Sequence, residues 1–404
     1  MKWCSSLSQS KNLDLALNEC INSITKKLHN ISPDFVVVFV SPHFENDYKQ
    51  IHKTLYETFP NSHLIGCSGG GIIGDGREIE NHPALSLTAA VLPGVKVQSF
   101  VVQEEDLPDL DASPREWEKL TGVSRQAEPH FIILADPFSI STENFILGMD
   151  YAYPQSVKLG GLASAASEPN KNALFLDKKL YHSGLVGIAF SGNILMDSLV
   201  AQGCRPIGEP MQITGCEQNI LLEVNDRPPL KIFEEIYEQL SERDQTLARH
   251  SLFLGISTHA DTQSLNRSDF LIRNIMAIDS DQGAIAIGSL LRIGQTVQFF
   301  LRDSETSRED LHHVLSQYAK TKNKLTIAET TSKGVFLFSC LGRGSYLYKS
   351  TNHDSDLFKN IVGQWPLTGF FCNGEIGPVG KTTFLHGYTS CFGIIHAKQS
   401  ITEM

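Results

Sequence analysis

The chain has 404 residues, of which 41% are hydrophobic and 20% are charged, and its formal net charge at pH 7 is −11. This composition is typical of a globular protein with two or three domains and an ample core. The net negative charge argues against binding to nucleic-acid phosphates or anionic membranes. The sequence also contains no run of about 18 apolar residues, the length that a membrane-spanning helix needs. The start of the chain also lacks the apolar stretch of a signal peptide. We therefore expect a soluble, cytoplasmic protein that neither inserts into membranes nor binds nucleic acid.

The cysteines give a second indication of the compartment. All eight are scattered along the chain, and none forms a CxxC pair. Scattered thiols in a chain of this length favour a reducing environment, and a structural zinc site is not expected without paired ligands. We predict no metal centre.

The first elements along the chain set a pattern. Residues 11–30 carry apolar side chains at helical spacing and predict an amphipathic helix. The apolar run DFVVVFVSPHF then predicts a strand that is buried on both faces. A helical segment that stops at Pro60 follows, and after it come the Gly-rich segment HLIGCSGGGIIGDG and the strand ALSLTAAVLPG.

This order of strand, loop, helix, proline, Gly-rich segment and strand occurs three times. The three units start near Phe35, Phe131 and Val335. A tight crossover turn explains any single Gly-rich segment, because glycine tolerates positive φ and the close approach of another chain segment. Three segments at the same place in a repeat instead predict that several loops meet at one place.

The third Gly-rich segment contains GEIGPVGKTT, which ends like a phosphate-binding loop. The pattern G-x-x-x-x-G-K-[ST] would need glycine at position 375, but that residue is Glu375. The sequence that follows is rich in β-branched and aromatic residues and predicts a strand, whereas a phosphate loop must open a helix. We therefore interpret GKT as part of the repeated turn.

The remaining segments connect the repeats and extend the second half of the chain. Residues 103–130 are acidic and predict a surface connection with one short helix, and residues 228–249 predict one long helix. Before that helix, PMQITGCEQNILLEVNDRPP predicts two strands and a turn, and we place a domain boundary near residue 215. Ser307 and Asp310 form a predicted capping box that opens a later helix.

These motifs together resemble the FIST-domain family. The N-terminal FIST module is matched by LIGCSGGGIIGDG, KLGGLASAAS and GLVGIAFSG, and the C-terminal module by PPLKIFEEI, the segment FLIRNIMAIDSDQGAIAIGSLLRIGQTVQFFLRD, GVFLFSCLGRG and GFFCNGEIGPVG. Each match is weak alone, but their order spans nearly the whole chain. The expected modules are residues 1–215 and 216–404.

The resemblance implies a sensory domain in signal transduction that binds small ligands such as amino acids. Some relatives in that family bind haem and sense nitric oxide, and eukaryotic relatives serve as substrate receptors of ubiquitin ligases. We expect an α/β or α+β fold with mixed sheets flanked by helices, built from repeated strand–helix–strand units, of which an αββα sandwich is one arrangement. We expect no enzymatic activity, and signalling through a separate partner chain.

Candidate ligand-binding residues lie in the Gly-rich segments and in the loop after the first strand of unit three. They are Cys67, Ser68, Gly69, Gly160, Gly161, Cys340, Arg343, Gly344, Cys372, Asn373 and Glu375. Arg343 could take the carboxylate of an amino acid, and Glu375 could take its ammonium group. An internal salt bridge between Arg343 and Glu375 is an equal alternative.

Other chemistries have less support in the sequence. A nucleophilic thiol needs a neighbouring base, and no histidine lies near the three candidate cysteines in sequence. His312 and His313 are adjacent on a predicted helix and point about 100° apart, so they cannot share a metal. Haem would need one axial histidine, and no histidine of this sequence is assigned to that role. A haem-based nitric-oxide sensor and a protein-interaction scaffold remain the two alternatives to small-ligand sensing.

Overall fold

The computed structural model describes residues 1–258, 265, 269–324 and 332–398. Its strands are β1 Lys2–Ser8, β2 Phe35–Val40, β3 His63–Ser68, β4 Gly71–Gly74, β5 Arg77–Glu80, β6 Leu85–Val91, β7 Val95–Val102, β8 His130–Ala135, β9 Lys158–Leu162, β10 Leu174–Leu176, β11 Lys179–Tyr181, β12 Leu185–Gly192, β13 Leu195–Gln202, β14 Cys204–Glu217, β15 Ile220–Val224, β16 Leu252–Ser257, β17 Phe270–Asp279, β18 Ala284–Ile287, β19 Thr296–Arg302, β20 Gly334–Cys340, β21 Leu367–Cys372, β22 Glu375–Val379, β23 Thr382–His386 and β24 Thr389–His396. Its α-helices are α1 Leu13–Lys27, α2 Tyr48–Thr58, α3 Pro114–Thr121, α4 Thr142–Ala152, α5 Pro229–Gln239, α6 Glu242–Ala248, α7 Ser304–Lys324, α8 Gly344–Tyr348 and α9 His353–Ile361.

The chain divides into two compact units. The first comprises residues 1–200, 312–385 and 389–404, and the second comprises residues 201–311 and 386–388. The position near residue 215 that the sequence suggests for a module boundary lies within β14. The division of the sequence into an N-terminal module, residues 1–215, and a C-terminal module, residues 216–404, stays a prediction.

Three sheets of the first unit share one strand order. They run β1-β6-β2-β3-β10-β11, β7-β12-β8-β9-β22-β23 and β13-β24-β20-β21-β4-β5. At the centre of each sheet lies a parallel pair, and the first strand of that pair has an antiparallel neighbour on its other side. The predicted threefold repeat of strand, helix and strand is therefore confirmed in the topology.

Each repeat also gives a hairpin to another sheet. The hairpin β4–β5 follows β3 but pairs with β21, β10–β11 follows β9 but pairs with β3, and β22–β23 follows β21 but pairs with β9. The Gly-rich segments are the crossovers that carry the chain from one sheet to the next. This exchange brings the three crossovers to one place.

The sheets of the first unit pack against a shared apolar core on one face and against helices on the other. Residues such as Val37, Ile188 and Phe338 belong to the shared core. On the opposite faces, Val36 packs with residues of α1 and α2, and Ile133 packs with residues of α3 and α4. Burial of both faces explains why β2 and β8 are nearly continuous apolar runs. The predicted class, mixed sheets flanked by helices, is confirmed.

The second unit is built around a closed barrel with the strand order β14-β15-β18-β17-β16-β19. Its interior is apolar, and helix α5 packs on it with Phe233 lying 5.2 Å, between ring centroids, from Phe299. The predicted pair of strands before this helix is confirmed as β14 and β15.

Two predictions of helix limits are wrong. The single helix over 228–249 is two helices, α5 and α6, because the Ser241 side chain accepts a hydrogen bond from the Asp244 N–H and starts a new helix there. Helix α7 starts at Ser304, three residues before the predicted capping box, because the Asp303 carboxylate accepts hydrogen bonds from the N–H groups of Glu305 and Thr306. Ser307 is inside the helix and donates its hydroxyl to the Gly203 carbonyl.

Among the described residues, no helix has the length and apolar character needed to cross a membrane.

Candidate ligand-binding site

The Gly-rich segments of the three repeats meet in the first unit, as the repeat predicts. Ser164 joins all three: its hydroxyl accepts a hydrogen bond from the Gly70 N–H at 2.9 Å and donates one to the Phe371 carbonyl. The second and third segments are also joined by backbone bonds, from Leu162 N–H to Gly374 carbonyl at 2.9 Å and from Asn373 N–H to Leu162 carbonyl at 3.1 Å. The meeting place is thus a hydrogen-bonded junction of main chains.

One glycine in each parallel pair is required by the packing of the strands. A Cβ atom on Gly66, Gly160 or Gly369 would lie 1.9, 1.7 or 1.8 Å from the carbonyl oxygen of the residue opposite it on the neighbouring strand. Gly161 and Gly69 also lie close to their neighbours, because their Cβ atoms would lie 2.4 Å from the Cys372 Sγ and 2.9 Å from the Phe370 side chain. These glycines allow protein segments to approach each other.

The candidate residues Cys67, Ser68 and Cys372 are fully buried at this junction. Burial raises the pKa of the Cys67 thiol well above its ordinary value, and burial together with the nearby Glu375 carboxyl does the same for Cys372. The Ser68 hydroxyl accepts a hydrogen bond from the Ala173 N–H at 2.9 Å. Protonated, buried thiols pack as small hydrophobic groups and are poor nucleophiles.

Arg343 is fully buried and forms an ion pair with Asp354 on α9. Its Nε donates to the Asp354 Oδ2 at 3.0 Å, and its Nη2 donates to Asp354 Oδ1 and to the Tyr348 hydroxyl. Ser339 and Ser390 donate hydroxyl hydrogen bonds to the same Asp354 carboxylate. Among the ion pairs of the described residues, the partner of Arg343 is Asp354 and not Glu375.

Glu375 occupies a position that is apolar in the other two repeats. It is opposite Gly161 in the exchanged hairpin, where the corresponding hairpin residues are Ile72 opposite Phe370 and Leu174 opposite Cys67. Its Oε2 accepts hydrogen bonds from the Thr389 N–H at 3.1 Å and the Thr389 hydroxyl at 2.9 Å. Burial raises the pKa of Glu375 from 4.5 to about 8, against the smaller effects of Thr389, Arg343 and Cys340. The carboxyl is therefore mostly neutral at pH 7.

The remaining candidates lie closer to solvent. Cys340 is partly exposed at the end of β20, and Asn373 is exposed in its crossover. Gly344 begins α8 with φ 59°, and a Cβ there would lie 2.5 Å from the Glu80 carboxylate. That carboxylate accepts a hydrogen bond from the Ser345 N–H at 2.8 Å, so the exchanged hairpin β4–β5 holds the start of α8.

The first unit also contains a cavity of about 440 Å³, and residues of α9 form part of its wall. Its walls include Trp3 of β1, Lys27 at the end of α1, Asp75 in the turn of the β4–β5 hairpin, and Trp365 after α9. Its volume is within the range of small-molecule pockets, and aromatic walls with a few polar groups are typical of such pockets. None of the residues selected from the sequence lines it.

The charges around the cavity are of both signs. Lys27, Arg77 and Lys359 supply positive charge, and Asp75 and Asp356 supply negative charge. The Lys27 ammonium donates to the Ser5 carbonyl at 2.6 Å and lies 3.3 Å from the Asp75 carboxylate. This site could not be predicted from the sequence, because its residues come from five separate segments and none of them belongs to a recognisable motif.

The histidines and other metal-binding side chains form no metal centre in the part of the chain that the structure describes: no group of three His, Cys, Asp or Glu side chains is placed to hold a metal ion. His312 and His313 are exposed on α7. His396 is more buried, and its Nε2 lies 3.1 Å from the Oδ2 of Asp197.

Two family models match consecutive parts of the chain. The family model for the FIST N domain matches residues 34–227, and the model for the FIST C domain matches residues 229–378. An uncharacterized protein of Mycobacterium tuberculosis is 33% identical over 331 residues, which cover 82% of this chain and 83% of the relative. An F-box/LRR-repeat protein of Arabidopsis thaliana is 23% identical over 361 residues, covering 77% of this chain and 67% of that protein.

A solved structure, that of cyanuric acid hydrolase from A. caulinodans, covers 99% of this chain and 100% of its own with a TM-score of 0.36 and 8% identity. A likeness of this size carries no argument about function.

Proposed function

This chain belongs to the FIST family, whose domains are sensory domains in signal transduction, and we propose that it senses a small zwitterionic ligand such as an amino acid. The observation that carries the proposal is the 440 Å³ cavity, with tryptophan walls and charges of both signs. In this proposal the protein is not an enzyme and works in the cytoplasm through a separate partner chain.

The ligand class follows from the charges on the cavity walls. A carboxylate would be held by Lys359 and Arg77, and an ammonium group would be held by Asp356. Trp3 and Trp365 would contact the apolar part of the ligand. Lys27 and Asp75 already neutralise each other in the ion pair at 3.3 Å, which leaves the other charged groups for the ligand.

Helix α9 connects the cavity with the junction of the Gly-rich segments. Asp356 and Lys359 line the cavity, whereas Asp354 on the same helix holds Arg343. Leu341, in the loop with Arg343, and Tyr346, on the following helix α8, are 40% and 69% exposed. We propose that the ligand fixes α9 and that a partner protein recognises this loop together with α8. The candidate residues of the junction would then transmit the signal.

A thermal-shift screen with the twenty amino acids tests the ligand class. A ligand at 100 times its dissociation constant adds about 2.7 kcal/mol to the folded state, which raises the melting temperature of a chain of this size by several degrees. Lys359→Gln and Asp356→Asn should each weaken the selected amino acid about tenfold or more, since each removes one charge-assisted contact. Lys53→Gln, a substitution on the exposed face of α2, is the matched control. Equal affinity in all three variants would contradict the assignment.

A protein-interaction scaffold is a second candidate, because the Arabidopsis relative is named an F-box/LRR-repeat protein. It predicts stable capture of one partner in a pull-down that no amino acid alters. The sensor predicts that its ligand changes the capture.

A further inference from the structure

A second cavity, of about 470 Å³, lies at the exchanged hairpin β4–β5 and has an oxygen-rich wall. Glu78 and Glu80 of the hairpin line it together with Asn81, Thr351 and Asn352. We propose that this cavity binds the ammonium group of an organic amine, with the carboxylate of Glu78 as its main partner.

Glu78 is buried, with 3% of its surface exposed, but only one of its two carboxylate oxygens has a hydrogen-bond partner in the part of the protein that the structure describes. Its Oε1 accepts hydrogen bonds from the Ser355 N–H at 2.7 Å and the Ser355 hydroxyl at 2.8 Å, and its own N–H donates to the Asn352 side chain at 2.7 Å. Its Oε2 is buried and has no hydrogen-bond partner among the described residues. A buried polar atom without a partner is costly, and here it belongs to a residue of the cavity wall.

The charges around Glu78 explain which partner it needs. Its acidic neighbours are Asp354 and Glu80. The nearby basic side chains contact other groups: Arg343 and His353 contact Asp354, and Arg77 donates to the Leu7 carbonyl at 3.3 Å. Burial, followed by the Asp354 charge, raises the pKa of Glu78 well above its ordinary value. The titratable residue His82 also lines the cavity. A cation that entered the cavity would stabilise the ionised form of Glu78.

An ammonium group fits this wall better than a metal ion does. No group of three metal-binding side chains lies here or elsewhere in the described residues, and calcium or magnesium sites need more ligating oxygens. An ammonium group offers three N–H donors, which suit the free Glu78 oxygen, the Glu80 carboxylate and an amide or hydroxyl oxygen. The volume of the cavity leaves room for the organic body of an amine.

This inference is independent of the amino-acid proposal, because a different cavity and a different observation carry it. The two cavities share Arg77 and Asn352 but not Glu78. Failure of amine binding would leave the amino-acid screen unaffected, and the reverse also holds.

Calorimetric titration of the full chain with propylamine and 1,4-diaminobutane at pH 7 tests the proposal, with tetramethylammonium chloride as a cation that cannot donate hydrogen bonds. We expect the primary amines to bind and tetramethylammonium not to bind. Glu78→Gln should weaken the primary amines at least tenfold, whereas Glu57→Gln on α2 should leave their affinity unchanged. Arg77→Gln should strengthen binding, because it removes a like charge from the cavity wall.

Proton release by the wild type keeps the test valid if Glu78→Gln does not fold. A carboxyl whose pKa is raised by burial is partly protonated near neutral pH and must ionise to pair with the ammonium group. Titrations in two buffers of different ionisation enthalpy should therefore show a release of protons on amine binding at pH 7 that becomes smaller at pH 9. Absence of amine binding, equal binding of tetramethylammonium, unchanged affinity in Glu78→Gln, or binding without proton release would each overturn the proposal.

Discussion

Replacing Glu375 by glutamine should remove much of the pH dependence of stability between pH 5 and pH 8. Glutamine keeps an oxygen that can accept the Thr389 hydrogen bonds, and it cannot ionise. In the wild type, burial raises the folded-state pKa of Glu375 from 4.5 to about 8. Stability from the neutral carboxyl is fully present below about pH 4.5, and it is lost as the pH rises through 8, because the unfolded chain gives up the proton first.

The size of the effect follows from the two pKa values. Between pH 5 and pH 8 a carboxyl with these values loses roughly 3–4 kcal/mol of unfolding free energy, at 1.36 kcal/mol per pKa unit. Urea denaturation of both proteins at pH 5, 6, 7 and 8 measures the difference, and other titrating groups cancel in the comparison. The variant should gain the same amount, roughly 3–4 kcal/mol, on the wild type across this range. A constant difference between the two proteins at all four pH values would refute the argument that Glu375 is buried in a neutral form.

Two further predictions concern the junction of the Gly-rich segments. Arg343→Met should lower the free energy of unfolding by about 3–5 kcal/mol, because it leaves the Asp354 charge buried without its partner. In a double-mutant cycle measured by denaturation, adding Asp354→Leu should restore part of that loss. Additive losses would contradict this prediction. Gly369→Ala should destabilise the fold by several kcal/mol, because its Cβ would lie 1.8 Å from the Leu337 carbonyl oxygen. In the control Gly380→Ala, the Cβ has no neighbouring atom within 4 Å, and only the positive φ of that residue should cost about 1 kcal/mol of stability. Equal melting temperatures of the two alanine variants would show that the strands adjust at Gly369.

The repeat could be predicted from the sequence because its signals are local. A continuous apolar strand, a helix that ends before proline and a Gly-rich segment follow one another in each copy. The structure places the strands of the units at Phe35–Val40, His130–Ala135 and Gly334–Cys340, close to the predicted starts. The exchange of hairpins could not be read from the sequence, because strand pairing across hundreds of residues leaves no local pattern.

The chemistry of the candidate site could be predicted only in part. That the loop with Arg343 lies near the segment with Glu375, the first residue of β22, follows from the repeat. The partner of Arg343 does not, since Asp354 lies in a helix that looks polar and surface-exposed in sequence. A ligand-binding Arg343, as the sequence suggests, would be dispensable for folding. Its complete burial and its ion pair instead predict that Arg343→Ala causes a large loss of stability.

The 440 Å³ cavity was missed for a related reason. Trp3, Lys27 and Trp365 are far apart in sequence, and the packing of β1, α1 and the segment after α9 brings them together. Glu78 gave no signal either, because a carboxylate in the short strand REIE is indistinguishable in sequence from one on a solvent-exposed edge.

Tryptophan fluorescence during titration with the amino acid selected by the screen tests most directly whether the cavity is the ligand site. The chain has three tryptophans, of which Trp3 and Trp365 line the cavity, whereas Trp117, a residue of α3, is buried in a separate apolar cluster. We predict a saturable change in emission that is reduced in Trp365→Phe and kept in Trp117→Phe. A saturable thermal shift with no change in tryptophan emission, or a response that is lost only in Trp117→Phe, would contradict the account and place the ligand elsewhere.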